Sequence, residues 1–526
     1  MRRLNPRAAL SAVLLALTGA LAPSSQAAPA DTARTAAWFD AARDRPPLVR
    51  QFLQRMPKGA DLHSHLSGAV YAESYIDWAA QAGYCADTTK LELVAPPCVE
   101  GEGRQRLATL PNATYNALID RMSTRNLPFA GKTGHDQFFD AFAVFGPASD
   151  LPDRLVSMVA ELADRAAAQH TRHLELMITL QGRAVRKLGA TEPWPSGGAD
   201  STEFARRRQW LLDHGLPELV AQGRRELDTL DAAWQQTQAC GTAQARPGCA
   251  VSVRWLQQTT RTGPPEQVFA QLVYAFELAR ADRRVVGLNL VAPEDHPVAL
   301  RDYRLQMEMI GFLSRLAPDV RIALHAGELA LGLVPPEHLR HHIRDAVEVA
   351  GAHRIGHAVD IGYEFGAIET MRRMKARGVA AEVCLTSNDV ILGIKGRDHP
   401  LMTYLAEGVP VVFASDDEGI SRIDLSNEYQ RAALTYGLGY RQLKQISRNS
   451  LHHSFLPGES LWRQPGEARP VAACARVVPG QARPSAACRT FLDGSERARQ
   501  QGALEADFER FEREADLTPE AAPRKR

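Results

Sequence analysis

The feature that most constrains the fold is an alternation that begins at Asp61, where short apolar runs rich in Val, Ile and Leu alternate with longer helical segments. Eight runs are predicted strands: DLHSHL (61–66), HLELMIT (173–179), VSVRWLQQ (251–258), VVGLNLV (285–291), RIALHA (321–326), RIGHA (354–358), AAEVCLT (380–386) and PVVFASD (410–416). Strands that alternate with helices predict a parallel α/β sheet. Eight such units close most naturally into a (β/α)8 (TIM) barrel, with an open doubly wound sheet as the competing arrangement.

Segments outside these runs predict extensions at both ends of the barrel and two insertions. Residues 28–56 indicate a helical extension with a break at Pro46 and Pro47. We place the barrel at residues 57–457, with insertions after its first and second strands. Residues 458–526 shift toward Pro, Gly, Ala and Arg, which predicts an irregular extension ending in a helix.

The first 27 residues have the pattern of a secretory signal. Three arginines precede an apolar run from about Ala8 to Ala22, and small residues follow around Ala27 and Ala28. No later segment approaches the ~20 apolar residues that a transmembrane helix needs. We therefore expect an exported protein, periplasmic or extracellular, that has no membrane association once the signal is removed.

The charge balance limits the class of partner. The chain has 62 basic and 61 acidic residues, a formal net charge of +1. Such a balance gives no global field for capturing a polyanion, so we expect no nucleic-acid partner. The sequence leaves the oligomeric state open, with a homodimer as one option.

Six of the seven cysteines fall into close neighbours along the chain. We expect local disulfides between Cys85 and Cys98, between Cys240 and Cys249, and between Cys474 and Cys488, since an exported protein meets an oxidising compartment. Six cysteines allow fifteen pairings, so proximity is only a preference. Cys384 is left as a buried thiol in a predicted strand.

Histidines and carboxylates cluster at the predicted carboxyl ends of four strands, where the chemistry of barrels is found. They are His63 and His65 at the first strand, His325 and Glu328 at the fifth, His357 at the sixth, and Asp416 and Asp417 at the eighth. Singly, each is more often a structural residue or a helix cap. Jointly, burying them in one mouth without a common partner would be costly, which favours a bound metal.

The donor set suits one zinc ion per chain. Its predicted ligands are His63, His65, His325 and Asp416. Three imidazoles and one carboxylate leave the centre positively charged, so zinc would act as a Lewis acid that lowers the pKa of water toward ~7. We expect His357 to orient this water and take its proton, Glu328 to protonate the substrate, and Asp417 to recognise a substrate donor.

The motifs LHSHL, HAGE, IGHAVD, EVCLTSN and SDDEG stand in an order that resembles the adenosine deaminase family within the amidohydrolase barrels, from about Met56 to Leu456. The run MPKGADLHSHL, the signal and the paired cysteines look most like the secreted branch, the adenosine deaminase-related growth factors. The resemblance implies zinc on the same four ligands. It also implies that Glu328 donates a proton to purine N1, that His357 positions the attacking hydroxide, and that Asp417 is the acceptor for purine N7.

Substrate recognition is the least settled part of the resemblance. The aromatic residues of HDQFFDAFAVF, including Phe138 and Phe142, look like the family's apolar wall over the ligand, although helix packing explains them equally well. Ser67 stands where relatives usually carry Asp at the ribose, and Ala292 where they usually carry Gly near purine N3. Glu418 replaces a frequent Pro after the two aspartates.

We therefore expect a secreted zinc-dependent hydrolytic deaminase that converts adenosine, deoxyadenosine or a related 6-aminopurine to the 6-oxo product plus ammonia. Its partner would be a small-molecule purine nucleoside or base. Two alternatives remain at this stage. One is an amidohydrolase acting on a different amide or phosphoester bond, and the other is a non-catalytic nucleoside-binding protein.

Overall fold

The computed structural model describes residues 27–99, 101, 103–151, 153–196, 199–464, 466, 468–475 and 484–514. The predicted signal peptide lies outside the described residues, except for its last residue, Ala27. Among the described residues, no helix is both long and apolar enough to cross a bilayer.

Two helices precede the barrel, as the break at Pro46 predicts: α1 (Ala27–Ala42) and α2 (Pro46–Arg55). Pro46 lies in the first turn of α2, where a missing N–H costs nothing. Val49, Phe52 and Leu53 are buried and recur at helical spacing on one face. That face packs against the C-terminal part of the chain, where the Phe52 and Phe511 rings lie 4.9 Å apart.

The first barrel strand and the first insertion follow in chain order. They comprise β1 (Gly59–His65), α3 (Ala72–Gln81), β2 (Cys85–Asp87), β3 (Glu92–Val94), β4 (Arg104–Arg106), α4 (Asn112–Arg121), α5 (Gly134–Ser149) and α6 (Arg154–Ala168). The second strand and second insertion comprise β5 (Thr171–Ile178), α7 (Gly182–Gly189), α8 (Ser201–Asp213) and α9 (Leu216–Thr237). Both insertions lie where the sequence predicts them.

The remaining barrel units run to residue 452. They comprise β6 (Ser252–Thr260), α10 (Pro265–Ala281), β7 (Val285–Val291), α11 (Pro297–Leu316), β8 (Arg321–Ala326), α12 (His342–Asp345), β9 (Arg354–His357), α13 (Ala367–Arg377), β10 (Ala380–Val383), α14 (Leu385–Leu392), α15 (Leu401–Glu407), β11 (Val411–Phe413), α16 (Glu418–Ser421), α17 (Leu425–Tyr436) and α18 (Tyr440–His452). The C-terminal extension contains β12 (Trp462–Gln464), β13 (Arg469–Pro470), α19 (Ala486–Asp493) and α20 (Glu496–Glu514).

Eight parallel strands form the barrel sheet in the order β1-β5-β6-β7-β8-β9-β10-β11. The ring closes where Ser64 bridges to Asp416: the His65 N–H donates to the Asp416 carbonyl at 2.9 Å, and the Asp416 N–H donates to the His63 carbonyl at 3.0 Å. This closure confirms the (β/α)8 barrel and excludes the open sheet. It also joins the two chain segments that carry three of the predicted metal ligands.

Two predicted strands are too long: the run at 410–416 forms a strand only over Val411–Phe413, and the run at 380–386 also ends early. The run at 380–386 ends as a strand at Val383, and a helix begins at Leu385, so Cys384 lies at the helix N-cap rather than inside a strand. Ser387 and Asn388 are thereby placed on the first turns of α14, where their side chains reach the barrel mouth. Cys384 is nevertheless free and buried, as predicted.

The structure pairs the other six cysteines as their proximity suggests. The Cα–Cα distances are 5.2 Å for Cys85 and Cys98, 5.5 Å for Cys240 and Cys249, and 4.7 Å for Cys474 and Cys488. These distances lie within the range of disulfides. The first two bridges close loops inside the two insertions, and the third lies in the C-terminal extension.

Candidate metal and substrate site

The four predicted metal ligands converge at the mouth of the barrel. The Nε2 atom of His325 lies 3.1 Å from Nε2 of His63 and 3.2 Å from Nε2 of His65. The Oδ1 atom of Asp416 lies 3.3 Å and 3.4 Å from the same two His63 and His65 nitrogens. All four atoms lie within 4.8 Å of one another. Ligands at bonds of ~2.05 Å in a tetrahedron are ~3.3 Å apart, so the spacing fits a zinc-sized centre.

Hydrogen bonds fix the protonation of all three imidazoles. The Nδ1 atom of His63 lies 2.7 Å from a carboxylate oxygen of Glu382, that of His65 lies 2.8 Å from Oε1 of Gln258, and that of His325 lies 2.9 Å from Oδ1 of Asn289. Each partner is an acceptor, so each Nδ1 carries the hydrogen. The three Nε2 lone pairs therefore face one another and the Asp416 carboxylate. A cation held between them would remove this repulsion.

A buried ion-pair network lies beneath the His63 ligand. The Arg354 guanidinium donates to Glu382 and, at 2.7 Å, to Glu175, and all three side chains are fully buried. Burial alone would raise the pKa of Glu382, but Arg354 and His63 keep it below its usual value. Glu382 is therefore ionised and can only accept from His63. Sequence reasoning missed Glu382, Gln258 and Asn289, because a polar side chain inside a strand gives no separate signal.

Glu328 lies on the tight turn that follows β8. Gly327 has a φ of +75°, which favours glycine, and the N–H groups of Gly327 and Glu328 donate to the buried Glu294 carboxylate at 3.1 and 2.8 Å. Burial and the nearby Asp416 carboxylate raise the pKa of Glu328 well above its usual value. Glu328 is therefore held as a neutral acid, as the sequence analysis requires of a proton donor.

A chain of hydrogen bonds fixes the tautomer of His357. The Leu401 N–H donates to Nδ1 of His399 at 3.1 Å, so the His399 hydrogen is on Nε2, which donates to Oδ1 of Asn388 at 3.0 Å. Asn388 then donates from Nδ2 to Nδ1 of His357 at 3.0 Å. Burial lowers the pKa of His357 to about 3. The imidazole is neutral, and its one hydrogen is on Nε2, which is buried without a partner.

Asp417 is the second orphaned polar group at the site. Its Oδ1 atom is buried with no hydrogen-bond partner. Burial and the adjacent Asp416 carboxylate raise the pKa of Asp417 well above its usual value. The carboxyl group packs so closely on Gly68 that a Cβ atom there would lie 1.5 Å from Oδ1. An unpartnered group held this firmly is suited to a ligand.

One cavity of about 410 Å³ is lined by His65, His325, Glu328, Asp416 and Asp417, whereas His63 and His357 are fully buried. Its lining contains every predicted substrate-binding residue: Ser67, Phe138, Phe142, Ala292 and Asp417. Phe139 of the predicted aromatic wall also lines it, as do Thr179, Gln258 and Thr260, which were not predicted from the sequence. Phe145 of the same aromatic run instead stacks on Tyr75, at 4.9 Å between ring centroids. The aromatic run is thus divided between a cavity wall and helix packing.

The closed eight-stranded barrel and the convergence of three imidazoles and a carboxylate at its strand ends fit the amidohydrolase-type metal site that the motifs predict. Residues 216–462 match the family model for adenosine deaminase. The chain therefore carries an adenosine deaminase family domain, as its motifs predict. The similarity to the secreted growth factor branch stays a prediction.

Individual relatives cover only parts of the chain. An adenosine deaminase of Clostridium perfringens is 29% identical over 185 residues, which are 35% of this chain and 52% of the relative. An adenosine deaminase of Aliivibrio fischeri is 37% identical over 142 residues, which are 26% of this chain and 38% of the relative. The chain thus spans about half the length of the first of these curated relatives.

Among solved structures, an amidohydrolase from Burkholderia ambifaria with bound Zn is similar with a TM-score of 0.50 and 19% identity. The match covers 78% of this chain and 88% of that chain. At this identity the likeness shows the fold alone.

Proposed function

We propose that the protein is an exported zinc-dependent deaminase that hydrolyses adenosine, deoxyadenosine or a related 6-aminopurine to the 6-oxo product and ammonia. The observation that carries this proposal is the set of three Nε2 lone pairs and the Asp416 carboxylate, which converge beside a neutral Glu328 and an orphaned Asp417. No phosphoester chemistry is needed to explain these groups, and the described cavity lining contains no Lys or Arg that would clamp a phosphate.

One zinc ion would be held by His63, His65, His325 and Asp416. When bound, it would act as a Lewis acid that lowers the pKa of water to ~7 and so provides a nucleophile at neutral pH. Ser387 donates to Oδ2 of Asp416 at 2.6 Å, which leaves Oδ1 of that carboxylate for the cation. The ligands are thus oriented before the metal arrives.

Glu328 supplies the proton that the ring needs. Attack at C6 of an aminopurine places negative charge on the adjacent ring nitrogen N1, and a neutral carboxylic acid can protonate it. The raised pKa of Glu328 keeps that proton available at neutral pH.

Asp417 binds N7, in the five-membered ring of the purine. It does so as a hydrogen-bond donor, whereas the sequence analysis expects an acceptor. Purine N7 has a lone pair and no hydrogen, so the residue that binds it must donate. The raised pKa of Asp417 makes the group a donor rather than an acceptor.

His357 orients the oxygen that adds to C6. Its Nε2–H has no hydrogen-bond partner among the described residues and can donate to that oxygen. A nitrogen that already carries a hydrogen does not take another from water, so the hydrogen-bond chain through Asn388 favours the orienting role over the predicted role as a base.

Recognition of the sugar relies on neutral groups. Ser67, Thr179 and Thr260 offer hydroxyls to the cavity, and Gln258 donates to Thr179 at 2.9 Å. These hydroxyl groups can either donate to or accept from a sugar hydroxyl, whereas an ionised aspartate can only accept. An uncharged nucleoside or base suits such a cavity better than a nucleotide.

Export is proposed from the signal pattern of residues 1–27 and supported by the three disulfide pairs. Fractionation of expressing bacteria tests it: the mature protein is expected outside the cytoplasm. A protein of full length confined to the cytoplasm would contradict export.

The deaminase proposal is tested by ammonia release from zinc-loaded protein over a panel of adenosine, deoxyadenosine, adenine and AMP. We expect ammonia from at least one nucleoside or base, little from AMP, and none after a chelator removes the metal. Protein that contains one zinc per chain and releases no ammonia from any of them would overturn the proposal.

A further inference from the structure

The residue after the two aspartates, Glu418, is buried in a polar contact that links distant parts of the chain. Its Oε2 atom accepts a hydrogen bond from Nη1 of Arg165 at 2.5 Å, and its Oε1 atom accepts from the Leu425 N–H at 3.1 Å. The side chains of Glu418 and Arg165 are only 9% and 12% exposed. Arg165 lies on α6, in the segment between the first and second barrel strands.

The same guanidinium also holds the loop that follows β1. Nη1 of Arg165 donates to the Ala69 carbonyl at 2.8 Å, and its guanidinium lies 4.0 Å from the centre of the Tyr71 ring. One cation therefore joins the segment after the ligand His65 to the segment after the ligand Asp416. Two hydrogen bonds from one nitrogen to two segments fix their relative position.

The two segments meet where Asp417 lies. The N–H groups of Gly419 and Ile420 both donate to the Gly68 carbonyl at 3.0 Å. A Cβ atom at Gly419 would lie 1.8 Å from the Val70 carbonyl oxygen, so the backbones are in direct contact. The Asp417 carboxyl group has no hydrogen bond of its own through Oδ1, and its position depends on this contact.

We propose that Arg165 and Glu418 are positioning residues that hold the Asp417 carboxyl group against Gly68, in the orientation that meets the substrate. The segment between the first and second barrel strands thus contributes to the site without touching the ligand. The proposal gives a role to the carboxylate that follows the two aspartates: Glu418 binds Arg165 and so fixes the segment that carries Asp417. It rests on the proposed deaminase function only for its kinetic consequence.

The test uses full-length protein with Arg165→Met, Glu418→Gln and the double variant. The matched control is Glu505→Gln, because Glu505 and Arg448 form a comparably buried pair between α18 and α20, with two hydrogen bonds of 2.7 Å. We expect the site variants to retain zinc, and to raise KM for adenosine about 10-fold or more with a smaller change in kcat. The double variant should be no worse than the singles, since the residues act together.

An N7-specific readout separates positioning from general damage. Binding of 7-deazaadenosine, which lacks the N7 lone pair, is compared with that of adenosine in every variant. We expect the preference for adenosine to shrink in the Arg165 and Glu418 variants, as we also expect in Asp417→Ala, which removes the donor, and to persist in Glu505→Gln. A preference unchanged in both site variants but lost in Asp417→Ala would overturn the proposal.

A crystal structure of the Glu418→Gln variant tests the positioning role without any measurement of enzymatic activity. A displaced Asp417 carboxyl group supports positioning even if the wild-type protein deaminates no purine, in which case only the proposed function fails. An Asp417 that stays against Gly68 overturns the positioning role whatever the activity. Should Arg165→Met fail to fold, Arg165→Lys replaces it, because a lysine keeps the charge but loses the planar fork of donors.

Discussion

The Nε2 atom of His357 lies 3.6 Å from Oε1 of Glu328, so the residue proposed to orient the attacking oxygen and the residue proposed to protonate the ring are direct neighbours. Neither is one of the four converging ligands. His357→Ala is therefore expected to retain zinc while kcat falls by about 100-fold or more. Metal analysis and steady-state kinetics on the same preparation check this, with the exposed His214→Ala as control. A variant with wild-type turnover would refute the role of His357.

The tautomer of His357 can be reversed by one substitution. Aspartate at position 388 has no N–H to donate, so Asn388→Asp would accept from Nδ1 of His357 and move the ring hydrogen away from Nε2. We expect a lower kcat and a changed pattern of ¹⁵N histidine shifts. Asn388→Ala, which removes the donor without adding an acceptor, is the control. Identical ring-nitrogen shifts in wild type and Asn388→Asp would show that the hydrogen-bond chain does not set the tautomer.

Glu382 is expected to control metal affinity through His63. Glu382→Gln removes the charge that holds the His63 Nδ1–H and leaves Arg354 with a weaker partner. Partners of metal-bound histidines typically contribute about 10- to 100-fold to affinity, and we expect a loss of that size. Competition with a chromophoric chelator measures it, with the surface variant Glu308→Gln as reference. Equal affinities in the two variants would contradict the assignment.

Ala292 tests whether a methyl group limits the substrate. The residue lines the cavity with a φ of +84°, a conformation that favours glycine. Ala292→Gly relieves this strain but makes the unfolded chain more flexible, so the free energy of unfolding should change by less than ~1 kcal/mol. We expect KM for adenosine to fall, because the backbone can then approach the base more closely. A higher KM at unchanged stability would show that the methyl group contacts the substrate favourably.

The sequence predicts those residues of the site that lie at the carboxyl ends of barrel strands. His63 and His65 recur with strand periodicity at a strand end, and the carboxyl ends of barrel strands meet at one mouth. The supporting shell could not be predicted in the same way. Arg165 and Glu418 are 253 positions apart and lie on α6 and at the start of α16, so only the folded chain brings them together.

An early change from strand to helix limited the prediction in a second place. The run at 380–386 has the apolar content of a strand, yet tertiary contacts end the strand at Val383 and turn Ser387 and Asn388 toward the mouth. Asn388 accepts a hydrogen bond from His399 in the next loop, and no periodic pattern in the sequence predicts this contact. The sequence thus predicts the candidate metal ligands, whereas it does not predict the groups that fix the hydrogens of the site histidines.

Glu364 is expected to make stability depend on pH. Burial raises the pKa of Glu364 to about 8 from 4.5, so between these values the folded protein holds a proton that the unfolded chain has released. The unfolded state then binds fewer protons, and the free energy of unfolding falls as pH rises through this window. Glu364→Gln removes the effect. Relative to this variant, wild type should lose at least ~1 kcal/mol between about pH 5 and pH 8.

Urea unfolding of wild type and Glu364→Gln across that range measures the difference, and comparing the two proteins cancels the pH dependence of metal binding. Glu337→Gln, at an exposed position, serves as the control and should run parallel to wild type. The Ile343 and Arg344 N–H groups donate to Glu364 and favour its charged form, which works against burial. If these two hydrogen bonds outweigh burial, the wild-type and Glu364→Gln profiles will also run parallel, and the pH dependence must then be assigned to another buried acid.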